Sequence, residues 1–293
     1  MPDSRQPAAP EIGEKPDGGA PHRGRLAEHV GLGRRVALKE LLFLDRALAV
    51  RLEREAAITA RLSHPAIVSV YEAGRHDDGA PFYVMRLVEG ARTLSEAMDA
   101  AKTREARRAL LVHVLAAADA LAYAHEQRVV HRDLKPSNIL VGPFGETVVI
   151  DWGLAKDLRS EEPEPQAPGP GSMRGGPPAL TRDGSILGTP QYMPPEQAGG
   201  EVVDARSDLY ALAGVLYFCL TGASPFGANT VRKALQAALM GEVKAVADSR
   251  QGAPVPESID RFIKKGLALE KDDRHQSAEE FVTALKNAVG NAS

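Results

Sequence analysis

The sequence predicts an α+β fold with a small strand-rich N-terminal part, a larger helical C-terminal part and a cleft between them. Short apolar runs beside turn residues, at 36–38 and 82–85, are typical of strands in the first part. From about residue 104 onward, apolar residues recur at the spacing of buried helix faces. Because clefts between two parts of a protein are favoured ligand sites, we expect the functional residues there.

The individual elements follow from these patterns. Residues 45–62 mix apolar and charged side chains in an amphipathic pattern, which predicts a helix between the two strands. Helices are predicted from about 104 onward, among them a long helix that contains Leu110 and runs to Gln127. A strand is predicted over 146–150, and a helix that is apolar nearly all round, and therefore buried, over 205–221. A serine followed three positions later by glutamate is a capping-box signature, which predicts a terminal helix over 277–289.

Composition excludes several classes of protein. The chain has 293 residues, of which 43% are hydrophobic, so a real core can form and global disorder is excluded. Its 36 basic and 39 acidic side chains give a net charge of -3, which predicts no general attraction to nucleic acid. The single cysteine, Cys219, excludes an internal disulfide framework and a cysteine-built metal site.

Membrane segments are not expected either. The longest apolar run, 209–220, is shorter than the roughly 20 residues that a spanning helix needs. The N-terminal residues contain no apolar core of a secretory signal, so we expect a cytoplasmic location. Residues 1–10 are rich in proline, alanine and charge, and are predicted to be a disordered tail. A second disordered stretch is predicted over about 158–180, where proline, glycine and acidic residues leave little to bury.

The densest chemical signal is the sequence HRDLKPSN at 131–138, followed by Asp151 after the predicted strand. His-Arg-Asp alone could be a polar turn after a helix. Phosphoryl transfer, however, needs a carboxylate that accepts the proton of the acceptor hydroxyl, and hard oxygen ligands for Mg²⁺. Asp133 could supply the first, and Asn138 and Asp151 the second. The set therefore favours phosphoryl transfer over a structural turn.

These motifs resemble those of the eukaryotic-like protein kinase family, in its bacterial Ser/Thr branch, over nearly the whole chain. The stretch 131–138 is similar to the family's catalytic loop, and Asp151-Trp152-Gly153 to its magnesium-binding triplet, with Trp in place of the usual Phe. The resemblance implies a bilobal kinase-like fold with ATP and Mg²⁺ as cofactors. It implies catalytic roles for Asp133, Lys135 and Asn138, and magnesium ligation by Asn138 and Asp151.

The resemblance also implies a nucleotide site. Val36-Ala37-Leu38-Lys39 is similar to the strand whose lysine contacts the α- and β-phosphates, with Glu55 as the partner of that lysine. The residues implied around the adenine are Ala37, Arg86, Val88 and Leu140. The glycine-rich loop would lie at 17–24, where only Gly19 falls on a family glycine. Because Pro21 has no N–H and Asp17 would repel phosphate, we expect weaker nucleotide binding than a complete loop gives.

The implied domains are an N-lobe over 11–88 and a C-lobe over 89–293, with an activation segment at 151–196. Asp208 matches the buried aspartate that holds the catalytic loop, and Arg274 the arginine that pairs with Glu196. Thr189 matches a threonine that contacts the catalytic Asp and Lys. We also expect regulation, because a phosphate on Thr181 or Ser185 could pair with Arg132 and order the segment. The regulatory residues are therefore Thr181, Ser185, Thr189 and Arg132.

Two functions compete. The first is an ATP-dependent protein kinase that transfers the γ-phosphoryl group to Ser or Thr hydroxyls of protein substrates. The alternative is a pseudokinase, a scaffold that binds nucleotide or partners with little transfer, because its glycine-rich loop is degenerate. A small-molecule phosphotransferase fits less well, since a small acceptor needs no long segment as a peptide platform.

Overall fold

The computed structural model describes residues 22–29, 31–43, 45–159, 190–226, 230–244, 246 and 255–290. These residues form two compact units. The first contains the described residues up to Ser63 together with Val68–Glu89; the second contains His64–Ile67 and the described residues from Gly90 onward. The predicted tail, positions 17–21 of the glycine-rich loop and the predicted insert beyond Arg159 lie outside the described residues.

The first unit is a four-stranded antiparallel sheet with one helix, in the strand order β1-β2-β4-β3. Its elements are β1 (His22–His29), β2 (Arg34–Leu41), α1 (Arg46–Ala60), β3 (Val70–Arg75) and β4 (Pro81–Arg86). The Asp45 carboxylate caps α1 by accepting from the Leu48 N–H at 2.9 Å, which explains why the helix begins there. Its apolar stripe then packs Leu52 and Ala56 against Tyr83 of the sheet.

The second unit is mainly helical, with three small antiparallel strand pairs. Its early elements are β5 (Arg92–Thr93), α2 (Leu94–Ala100), α3 (Arg104–Ala109), α4 (Leu111–Glu126), β6 (Val129–Val130), a 3₁₀ turn (Pro136–Asn138), β7 (Ile139–Val141), β8 (Thr147–Val149) and β9 (Lys156–Asp157). Its later elements are α5 (Pro195–Gly199), α6 (Ala205–Thr221), α7 (Val231–Met240), α8 (Glu257–Gly266), a 3₁₀ turn (Lys271–Asp273) and α9 (Ala278–Gly290). The α+β prediction is confirmed.

Helix α6 was predicted to be buried on all sides, and it is: nearly every side chain from Ser207 to Tyr217 is buried. It begins at the capping residue Asp204 and ends at Gly222, whose φ of 71° is the left-handed cap geometry. In the described part of the chain, no helix has the length and apolar character needed to cross a membrane.

Two details differ from the sequence predictions. The long helix predicted to contain Leu110 and run to Gln127 begins at Leu111, and a separate short helix ends just before Leu110. The backbone tightens to three-residue hydrogen bonds there, because the Leu110 N–H donates to Arg107 O at 3.0 Å and the His113 N–H donates to Leu110 O at 3.1 Å. At the start of α9, Ser277 Oγ accepts from the Glu280 N–H, but the Glu280 carboxylate accepts from the residue before the serine, so the capping box is only half formed.

Candidate active site

A buried ion pair organises the first unit. The Lys39 ammonium on β2 lies 2.6 Å from Glu55 Oε1 on α1, and both side chains are at most 8% exposed. The Tyr83 hydroxyl donates to the same carboxylate oxygen at 2.7 Å. Because a buried carboxylate is costly unless it is both paired and hydrogen-bonded, this set of contacts fixes the position of the lysine ammonium.

The other predicted nucleotide contacts are divided between the two units. In the first unit, Ala37 and Arg86 are half-buried and Val88 is buried. Ala37 stands opposite Met85 in the β2–β4 pairing, and the Arg86 N–H donates to Ser69 O at 2.8 Å. The second unit contributes Leu140 on β7, which is also half-buried.

The predicted catalytic loop follows β6 in the second unit. Lys135 Nζ lies 2.8 Å from Asp133 Oδ2, so the ammonium and the carboxylate form an ion pair. Asn138 Nδ2 donates to the Asp133 backbone oxygen at 2.8 Å, and so closes the loop on itself. The three residues predicted to be catalytic therefore lie together, with Asp133 at the centre.

The hairpin β7–β8 brings Asp151 to this loop. The Ile150 N–H donates to Asn138 O at 2.9 Å, so Asp151 follows the residue that is bonded to Asn138. Since the Asn138 amide nitrogen is already engaged with Asp133, its Oδ1 is the atom left to face a cation. An amide oxygen and a carboxylate fit Mg²⁺, which typically takes one or two carboxylates and completes its shell with water and substrate phosphates.

Both ends of this site contain strained backbone. Arg132 has a φ of 70° and Asp151 a φ of 62°, which residues other than glycine rarely adopt. Each such residue costs on the order of 1–3 kcal/mol, so the surrounding contacts must hold it in place. A tilted ring contact between His131 and Trp152, at 4.6 Å, and the approach of His131 Nε2 to Ile150 O, at 3.2 Å, connect the two strained positions.

Asp208 of α6 binds the backbone of the catalytic loop. Its carboxylate accepts the N–H groups of His131 at 2.8 Å and Arg132 at 2.9 Å, and His125 Nε2 lies 2.9 Å from it. Burial raises the pKa of Asp208, but the hydrogen bond and charge of His125 and the loop contacts outweigh it, so that the pKa lies below its ordinary value. The carboxylate therefore stays ionised and accepts both backbone bonds.

A second buried ion pair anchors α5. Arg274 donates to both carboxylate oxygens of Glu196, at 2.8 and 2.9 Å, and Ser207 Oγ donates to Oε1 at 2.6 Å. Burial raises the pKa of Glu196, whereas the bonds from Arg274 and Ser207 lower it, with a net shift below the ordinary value. Since Ser207 precedes Asp208, the start of α6 contacts both α5 and the catalytic loop.

The structure thus brings the predicted residues together in two sets, Lys39 with Glu55 in one unit and Asp133, Lys135, Asn138 and Asp151 in the other. Arg132 is among the described residues, whereas Thr181 and Ser185, whose phosphate Arg132 is predicted to bind, are not. Four predicted residues lie outside the described residues: Gly19, Thr181, Ser185 and Thr189.

Sequence reasoning missed Tyr83, His125 and Gln197. Tyr83 stands directly opposite Lys39 in the β2–β4 pairing and so shares its face of the sheet, but this follows only once the register is known. Neither His125 nor Gln197 has a local signal. Their partners, Asp208 and the Arg132 carbonyl, are 83 and 65 residues away along the chain.

Comparison with known proteins agrees with this geometry. A family model described as the protein kinase domain matches residues 24–284. The serine/threonine-protein kinase PknB of Mycolicibacterium smegmatis is 36% identical over 278 residues, which is 92% of this chain and 41% of that protein. PrkC of Bacillus subtilis is 36% identical over 267 residues, which is 90% and 38% of the two chains. PknD of Protochlamydia amoebophila is 34% identical over 272 residues, which is 87% of this chain and 27% of that protein. The chain thus spans less than half the length of these three relatives.

Proposed function

Because this chain belongs to the protein kinase family, we propose that it transfers the γ-phosphoryl group of ATP to Ser or Thr hydroxyls of protein substrates. The observation that carries the proposal is the arrangement around Asp133, in which Lys135 and Asn138 both contact Asp133 and the β7–β8 hairpin brings Asp151 to the same loop. ATP as the donor also favours a cytoplasmic location. The relatives are named as serine/threonine-protein kinases, which favours Ser and Thr as acceptors.

Each group then has a distinct task. Asp133 accepts the proton of the attacking hydroxyl, and Lys135, 2.8 Å from its Oδ2, holds the carboxylate and offers positive charge to the transferred group. Asn138 and Asp151 would hold Mg²⁺, which when bound neutralises charge on the phosphates. Lys39, fixed by Glu55, would bind the α- and β-phosphates. Ala37, Arg86, Val88, Leu140 and Gly19 are proposed to contact the nucleotide.

The experiment compares the purified chain with Asp133→Asn and with a matched exposed control, Asp273→Asn. Each protein is incubated with labelled ATP, Mg²⁺ and a generic basic protein. We expect Asp133→Asn to lower transfer by about 10²–10⁴-fold, because the proton acceptor is lost, and Asp273→Asn to leave it unchanged. Undiminished transfer by Asp133→Asn would refute the assigned role.

The pseudokinase alternative predicts a different result. The wild-type chain would then show no transfer, while ATP and Mg²⁺ would still raise its melting temperature, since a ligand that binds the folded state stabilises it. The names of the relatives favour the active enzyme.

We also propose control by phosphorylation of the segment 151–196. A phosphate on Thr181 or Ser185 adds about -1.5 to -2 charges, which Arg132 could neutralise, and Thr189 is proposed to contact the catalytic Asp and Lys. We expect Thr181→Ala with Ser185→Ala to lower turnover, and mass spectrometry of the wild type to find phosphate at one of the two. Unchanged turnover together with unmodified residues would contradict this regulation.

A further inference from the structure

Gln197, in the short helix α5, contacts the catalytic loop directly. Its side-chain Nε2 donates to the backbone oxygen of Arg132 at 2.9 Å. We propose that Gln197 is a positioning residue for Asp133, and that through it the C-terminal end of the segment 151–196 sets the orientation of the proton acceptor. This inference rests on the proposed kinase function.

The contact completes a clamp on a single residue. Asp208 Oδ1 accepts the Arg132 N–H at 2.9 Å, and Gln197 donates to the Arg132 carbonyl. Arg132 therefore has both of its backbone polar groups bonded to side chains that come from two different helices. Because its φ of 70° is unfavourable for a residue with a Cβ, both bonds help to hold it in that conformation.

The carbonyl that Gln197 contacts is adjacent to Asp133. A peptide group is planar, so the orientation of the Arg132 carbonyl also fixes that of the Asp133 N–H and the direction of its Cα. The Asp133 N–H in turn approaches His131 Nδ1 at 3.3 Å. Rotation of this peptide would therefore turn the Asp133 carboxylate away from its proposed position.

Gln197 can act in this way because α5 is itself held firmly. The preceding residue, Glu196, is bound by Arg274 and Ser207 in a buried ion pair. Successive residues of a helix point about 100° apart, so the anchored glutamate and the glutamine face different neighbours. The buried ion pair of Glu196 therefore fixes α5, and with it the position from which Gln197 donates to the Arg132 carbonyl.

A small pocket lies beside the Gln197 side chain. Its lining includes Arg132, Asp133, Gln197 and Tyr192, and its volume of about 10 Å³ is enough for about one water molecule. Within the part of the chain that the structure describes, Gln197 Oε1 is buried and accepts no hydrogen bond. The amide thus interacts through its N–H group, and a variant of similar size without that donor tests the proposal.

We choose Gln197→Met and Gln197→Glu as test variants, with Gln236→Met as the control, because Gln236 is exposed on α7. In Gln197→Met we expect kcat to fall about 10- to 100-fold, since small misplacements of catalytic groups have effects of this size. We expect the KM for ATP to match that of the control and the melting temperature to fall by only a few degrees, the effect of one lost hydrogen bond. A packing defect would instead lower the melting temperature further without a matching fall in kcat.

Gln197→Glu adds a second measurement, the pH dependence of the rate, which a packing defect would not change. A carboxylate cannot donate to the Arg132 carbonyl, but a protonated carboxyl group can. We therefore expect the rate of Gln197→Glu relative to wild type to rise as the pH falls toward the carboxyl pKa. The relative rate of Gln197→Met should stay flat across the same range.

Hydrogen exchange measured by mass spectrometry makes the test independent of turnover. Loss of the Gln197 bond should speed amide exchange at 131–134 in both variants and leave Gln236→Met at the wild-type rate. If wild type transfers no phosphate, the proposed function fails, while exchange still decides whether Gln197 holds the loop. Wild-type kcat in Gln197→Met, or unchanged exchange at 131–134, would overturn the inference.

Discussion

Replacing Arg274 with methionine should destabilise the second unit by about 3–5 kcal/mol, the usual cost of removing one partner of a buried ion pair. Its side chain is 0% exposed and donates to both oxygens of Glu196. The guanidinium also donates to the carbonyls of Ala268 and Leu269, and it lies 4.6 Å from the ring centroid of Tyr210. Methionine fills much of the volume but leaves the buried carboxylate of Glu196 without its charged partner, although the Ser207 hydroxyl still donates to it.

The measurement is a urea titration followed by the fluorescence of Trp152. It is the chain's one tryptophan, it is 1% exposed, and it belongs to the same unit as Arg274. The control is Arg261→Met, because Arg261 forms an exposed pair with Glu257 whose contribution is at most a few tenths of a kcal/mol. A loss below about 1 kcal/mol in Arg274→Met would refute the reasoning.

A second substitution shows which charge causes the loss. Glu196→Gln in the Arg274→Met background removes the unpaired carboxylate and should recover part of the lost stability. The pKa of Glu196 is lowered in the folded chain, so its ionised form stabilises the fold above its unfolded pKa of about 4.3. That contribution disappears as the pH falls through the folded pKa, and the deficit of Arg274→Met should shrink in acid.

Two further predictions concern the first unit and a turn. Tyr83→Phe removes a hydrogen bond to the Glu55 carboxylate, so we expect thermal unfolding to show a stability loss of about 1.5–3 kcal/mol and the KM for ATP to rise. An unchanged KM would show that this bond does not contribute to nucleotide binding. Gly145 has a φ of 87°, so Gly145→Ala should lower the free energy of unfolding by about 1–2 kcal/mol, measured by Trp152 fluorescence. The control Gly290→Ala, at the end of α9, should not destabilise the protein. Equal effects of the two substitutions would exclude backbone strain as the cause.

The part of the candidate site that could be predicted from sequence is the part whose residues lie close together along the chain. Asp133, Lys135 and Asn138 lie within six residues, so their mutual contacts are local and the printed sequence is enough to group them. The break at Leu110 could not be read, because apolar spacing is similar in one long helix and in two helices joined by a tight turn. Tyr83 required the sheet register, which a single strand does not specify.

The conformation of the loop depends on longer-range contacts. Nothing local favours a left-handed Arg132, since a side chain at that φ is strained. The residues that hold it, Asp208 and Gln197, are 76 and 65 positions away along the chain. Lys135 and Asn138 place the atoms around the carboxylate, whereas these distant helices set the direction in which the carboxylate points. Substitutions far from Asp133 in sequence can therefore change its orientation while every residue of the motif stays in place.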